Sequence, residues 1–108
     1  MAKTMSYAQT LLVFQQIQPG DRVAIAMRNY PEWIIAFAAI TSVGGIAVSM
    51  NAWWKSDEMA YGLEDCGAKL LIADRERLEI AADALEKLGT RCLVVRTEGE
   101  LPAGAEHW

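Results

Sequence analysis

Residues Gly20–Asn51 read GDRVAIAMRNYPEWIIAFAAITSVGGIAVSMN. Val23 to Met27 is a compact apolar run set between Asp21-Arg22 and Arg28-Asn29. That is the pattern of a strand buried on both faces, not of an alternating surface strand. Pro31 suits the first turn of a helix, where a missing N–H costs nothing, and Glu32 favours the positive helix terminus. From Trp33 to Ile40 no residue is polar, so this helix needs cover on more than one side. Gly44-Gly45 stops it by allowing a left-handed backbone, and Ile46 to Met50 makes a second strand. Two apolar runs joined by a helix of this length predict a right-handed βαβ crossover and a parallel sheet.

Outward from this unit the periodicity continues. Before it, Ser6 to Ile17 has apolar residues at Tyr7, Leu11, Phe14 and Ile17, which is helical spacing, with Ser6 as its cap and Pro19-Gly20-Asp21 as its stop. After it, Asn51-Ala52-Trp53-Trp54-Lys55 is an aromatic loop. Ser56 is the expected cap of a helix over 57–66, lined by Met59, Leu63 and Cys66 and ended by Gly67. A third strand is expected over 69–73, and Asp74 caps a helix over 75–88 with Leu78, Ala81, Ala82, Leu85 and Leu88 on its apolar face and Gly89 as its stop. A fourth strand occupies 91–96. Thr97 to Trp108, with Gly99, Pro102 and Gly104, reads as a polar, flexible tail. The expected architecture is α(βα)₃β, one α/β unit over 1–108 with helices on the faces of an open parallel sheet.

A chain of 108 residues that is 53% hydrophobic is one small domain with material for a core. The net charge of −4 and the scattered Lys and Arg leave no basic footprint for nucleic acid or anionic membrane. The run from Trp33 to Ile40 falls short of the roughly eighteen residues that cross a bilayer. With no secretory leader at the start, the expected location is the cytoplasm. Cys66 and Cys92 form no C-x-x-C pair and read as small buried hydrophobes in a reducing compartment.

Few residues offer chemistry. A phosphate loop belongs after a strand and before a helix, and no G-x-G-x-x-G or Walker lysine occurs. Gly44-Gly45 lies at the opposite end of a strand and reads as a helix stop. His107, the only histidine, has no paired nucleophile in view. Asp57-Glu58 and Glu64-Asp65 read as helix-start and solvated charges, and Cys66, Cys92 and His107 lack the spacing of a zinc site. Trp53 and Trp54 are the unusual pair. Neighbours in an extended segment point to opposite sides, so one ring packs on the sheet while the other faces outward.

GDRVAIAMRNYPEW, the apolar helix and Gly-Gly, then VSMNAWW, SDEMAYGLEDCGAKLLIADRERLE and VVRTEGELPAGAEHW together resemble the N-terminal region of the AMP-forming acyl-CoA synthetases. The NAWW loop and the ADRERLE helix start are most similar to the fatty-acid branch. Two departures stand out: Ser49 occupies a position where the family commonly has proline, and the segment from Tyr7 to Gly20 is shorter than the family's first helix, pointing to a truncated or rearranged gene start. The resemblance implies a parent reaction that uses ATP, Mg²⁺ and coenzyme A. The family's phosphate loop, acidic nucleotide motifs and C-terminal lysine have no counterpart here, so it transfers no catalytic, cofactor-binding or metal-binding residue to this chain. The expectation is an inactive subdomain whose exposed apolar surface, with Trp33, Phe37, Ile40, Trp53 and Trp54 as candidate interface residues, meets either the remainder of a synthetase or a second copy in a homodimer. The rival reading is a stand-alone oligomerisation or partner-binding module derived from that subdomain.

Overall fold

The computed structural model describes residues 6–108. Its elements run α1 (Tyr7–Phe14), β1 (Arg22–Ala26), α2 (Pro31–Ser42), β2 (Ile46–Ser49), α3 (Ser56–Cys66), β3 (Leu70–Asp74), α4 (Arg75–Leu88), β4 (Arg91–Val95) and β5 (Ala105–His107). All strands pair in parallel in a single five-stranded sheet of order β2-β1-β3-β4-β5. The parallel α/β architecture is the one the periodicity predicts, enlarged by one strand.

β1 explains why both faces are covered. Val23, Ile25 and Met27 enter one core with Leu70, Ile72, Leu93 and Val95, closed by Ala8 and Leu12 of α1 and by Ala36, Ala39 and Ile40 of α2. The alternate residues Ala24 and Ala26 enter the other core with Leu71, Ala73 and Val94, closed by Met59 and Leu63 of α3 and by Leu78, Ala81 and Leu85 of α4. A chain running β1-α2-β2 to one side and then β2-α3-β3 past β1 to the other puts its crossover helices on opposite faces.

Local signals account for most element ends. Ser6 Oγ accepts from the Gln9 N–H at 3.2 Å while Gln9 Oε1 accepts from the Ser6 N–H at 2.8 Å, a reciprocal capping box. Asp74 Oδ1 accepts from the Arg77 N–H at 2.9 Å and starts α4. Gly44 takes φ +83°, ends α2, and sits against Pro19, whose Cβ would lie 3.1 Å from any added Cβ.

Three expectations are corrected. The first helix ends at Phe14, not Ile17: Gln16 adopts φ 61°, which lets the Ile17 N–H reach the Leu12 carbonyl at 3.1 Å and delivers Ile17 into the core. The Phe14 side chain lies outside the described residues. Ser56 is the first residue of α3 and not its cap; Lys55 holds the capping position and Glu58 Oε1 accepts from its N–H at 3.1 Å. Finally, Thr97–Trp108 is not a flexible tail. The Cys92 N–H donates to the Gly104 carbonyl and the Trp108 N–H to the Val94 carbonyl, both at 2.9 Å, so the open edge of β4 captures the segment as β5. Leu101 packs on the α3/α4 face and Trp108 on the α1/α2 face.

The glycine in α3 is steric. A Cβ on Gly62 would stand 2.7 Å from Met50 Cε and 2.8 Å from Trp54 Cζ3, so its absence lets the Trp54 ring lie on the helix. At the amino edge of the sheet, Asp21 accepts from the Gln18 N–H at 2.8 Å and from Lys69 Nζ at 3.2 Å. Those bonds, the backbone one first, hold its carboxyl below the usual carboxylate range.

Ile40 is fully buried whereas Phe37 is 45% exposed. Ile40→Ala should therefore cost about 2–5 kcal/mol in urea unfolding, and Phe37→Ala should move the midpoint little. Burial pushes the Cys92 thiol up to about 12, so the folded state favours its neutral form. That contribution is complete below an unfolded thiol's pKa of about 8.5 and is lost as the pH climbs toward the folded value. At pH 8 a chromogenic disulfide reagent should modify the half-buried Cys66 first and Cys92 only as the chain unfolds.

Candidate functional site

Ligands of open parallel sheets bind at the carboxyl ends of the strands, where the chain order reverses, which here is the crevice between β1 and β3. Met27, Arg28 and Asn29 leave β1 at that point and Asp74 ends β3. The Asp74 carboxylate lies across the crevice: Oδ2 accepts from the Arg28 N–H at 3.2 Å and from Arg77 Nη1 at 3.2 Å, and Oδ1 caps α4. Arg77 and Asp74 are the two buried charged residues among those described, 4% and 5% exposed. The same guanidinium donates through Nε to the Ala52 carbonyl at 2.9 Å and through Nη1 to Glu76 at 2.8 Å. One ion pair thus ties the ends of β1 and β3, the start of α4 and the loop after β2.

The neighbouring arginines are committed in the same way. The Arg28 guanidinium stands 4.7 Å from the centre of the Trp53 ring, and that of Arg96 stands 4.5 Å from Tyr30 while its Nε pairs with Glu32 at 2.8 Å. Arg75 Nη1 donates to the Glu100 carbonyl at 3.2 Å. Arg96 holds φ 51°, a left-handed backbone at the point where β4 hands over to the β5 connection. At this edge the arginines are engaged by carboxylates, backbone carbonyls and aromatic rings of the chain itself.

The five expected interface residues divide. Trp33 and Phe37 stack on α2, ring centres 5.7 Å apart and planes within 7°. Ile34, Ile35 and Phe37 are exposed, so the outer face of α2 is an apolar patch. Ile40 is not an interface residue: it turns inward at the helical spacing of Ala36 and fills the core. Trp53 is 73% exposed and faces outward under Arg28, while Trp54 packs inward on Gly62, the division expected of neighbouring residues in an extended loop.

The remaining candidates sit apart from one another. His107 lies on β5, its Nε2 2.8 Å from the Gly99 carbonyl. Asp57, Glu58, Glu64 and Asp65 are exposed on α3. Among the described residues no three His, Cys, Asp or Glu side chains come together as a metal site. The Asp74–Arg77 pair escapes the sequence reading because Asp74 is already explained as a cap. Its signal is the three-residue spacing from an N-cap carboxylate to an arginine on the inward flank of the same helix.

Comparison with known proteins agrees with this geometry. The family model described as AMP-binding enzyme matches residues 2–107. The crotonobetaine/carnitine–CoA ligase of Salmonella typhi is 31% identical over 104 residues, covering 91% of this chain and 20% of that protein. The acetyl-coenzyme A synthetase of Rhodobacter capsulatus is 33% identical over 113 residues, covering 93% of this chain and 17% of that protein. A crystal structure of an anthranilate CoA ligase in complex with anthranoyl-AMP superposes with a TM-score of 0.76 at 28% identity, over 81% of this chain and 17% of that one. The chain spans about a fifth of the length of the curated relatives it matches.

Removing one member of the buried pair leaves a charge without its partner. Arg77→Met should destabilise by about 3–5 kcal/mol in urea unfolding, and Asp74→Asn combined with Arg77→Met should recover part of that loss.

Proposed function

The chain belongs to the AMP-binding enzyme family, and we propose that it is the structural α/β subdomain of an AMP-forming acyl-CoA synthetase, catalytically incomplete by itself. In the complete reaction a carboxylate attacks the α-phosphate of ATP, forming an acyl-adenylate and expelling pyrophosphate, and the thiol of coenzyme A then displaces AMP to give the thioester. The observation that carries the structural reading is the carboxyl edge of the sheet. Its crevice is filled by Asp74 and Arg77, and Arg28 and Arg96 are stacked on Trp53 and Tyr30. The transition state of adenylation concentrates charge on the α-phosphate and needs preorganised donors there. Among the described residues no three His, Cys, Asp or Glu side chains gather where they could hold a metal ion by themselves.

We read the parent substrate as a fatty acid, on the resemblance of the NAWW loop and the ADRERLE helix start to the fatty-acid branch. Relatives named for acetate, crotonobetaine or carnitine, and anthranilate share this unit. That supports a scaffold whose form is common while the acyl pocket is built elsewhere. The exposed apolar face of α2 also supports self-association of this chain as a homodimer.

Purified chain incubated with ATP, Mg²⁺, labelled pyrophosphate and fatty acids of graded length should show exchange no greater than the protein-free background. Carboxylate-dependent exchange abolished by heating the protein would sink the structural reading.

A further inference from the structure

α1 is attached differently from the other helices. α2, α3 and α4 each run between two strands of the sheet, whereas α1 precedes β1. It sends Ala8 and Leu12 into the core, and beside the core the Gln9 Nε2 to Ser42 Oγ bond at 2.6 Å holds it to α2. A helix with so little buried surface belongs to the low-stability end of a fold.

The connection from α1 to β1 has a fixed part and a turning part. From Gly20 onward it is fixed: the Gly20 N–H donates to the Gly44 carbonyl at 2.9 Å, and the Asp21 carbonyl accepts from the Ile46 N–H at 2.8 Å. Before it, Gln16 holds φ 61°, a left-handed backbone that is strained for a residue with a Cβ. Lys69 Nζ donates to the Gln16 carbonyl at 2.7 Å and to Asp21 Oδ2 at 3.2 Å, and the same Oδ2 accepts from the Gln18 N–H at 2.8 Å. One ammonium and one carboxylate therefore bracket residues 16–21. Arg91 Nε reaches the same end of the helix, donating to Gln15 Oε1 at 2.8 Å. α1 has no basic residue in its own last turn, so the cations that suit a helix carboxyl terminus come from Lys69 and Arg91.

We propose that α1 is a hinged cover that opens about Gln16 while the sheet stays folded, with Lys69 as the latch that holds it shut. The Lys69–Asp21 pair is partly exposed and contributes little by charge alone. Lys69 acts instead by fixing the peptide plane that follows Gln16. That holds the left-handed backbone in place and keeps the Ile17 N–H on the Leu12 carbonyl at 3.1 Å. When the latch lets go the strain relaxes, and Ala8 and Leu12 leave the core they share with Leu70 and Leu93. Strand pairing does not pass through α1, so the sheet and its crossover helices persist.

Hydrogen exchange of the whole chain, followed residue by residue by NMR at neutral pH, tests this. The Gln15 and Ile17 amides should exchange together, at least about tenfold faster than the Ile72 amide of β3. Lys69→Met should speed the first two about tenfold and leave Ile72 unchanged, which also shows that the variant is folded. Adding Gln16→Asn, which accepts the left-handed backbone more readily, should slow them again. Exchange of Gln15 and Ile17 in step with Ile72 overturns the hinge. A Lys69→Met chain that leaves them unchanged, or speeds Ile72 equally, overturns the latch. If Gln16→Asn does not slow them, Gln16 is not the pivot.

Discussion

A parallel strand buried on both faces has to be roofed twice, and in this chain that demand falls on β1. Its backbone is paired on both sides, to β2 and to β3, and its side chains divide between the two cores. The divided roof follows: α1 and α2 above, α3 and α4 below. It also fixes the inventory of the helices, since each keeps a buried apolar stripe toward the sheet. What α2 carries on its other side is surplus to that demand, and the surplus is what distinguishes this small domain from one sealed on all sides.

Much of this was legible in the residues. Val23 to Met27 announced a doubly buried strand, Pro31 and Gly44 marked the ends of α2, and Asp74 and Gly89 bounded α4. The residues that stayed hidden share a cause. β5 is made by backbone bonds to an edge that β4 leaves open, and Ala105-Glu106-His107 has neither the length nor the alternation that marks a strand. The early end of α1 rests on Gln16 accepting a left-handed backbone so that Ile17 can be buried, a tertiary gain overriding helical spacing. Arg77 carries no signal of its own in the helical spacing, and only the return of the loop after β2 turns it into a buried anchor.

The carboxyl edge brings fold and function together. Open parallel sheets offer their crevice at this place to ligands, and here the space is taken by protein groups that satisfy one another. A carboxylate serving at once as cap, ion-pair partner and acceptor for the β1 exit makes the edge rigid. The aromatic loop is held by the same guanidinium, so Trp53 is presented outward on a fixed support.

The strand order carries a consequence for how the chain acquires its form. Once β1 and β2 are joined, every later strand adds to the same growing side in the order in which it is synthesised, β3 on β1, β4 on β3 and β5 on β4. Only β3 must reach back over an intervening element, and each addition after it meets an edge finished just before. Such an order means that each strand after β2 finds its pairing edge already synthesised.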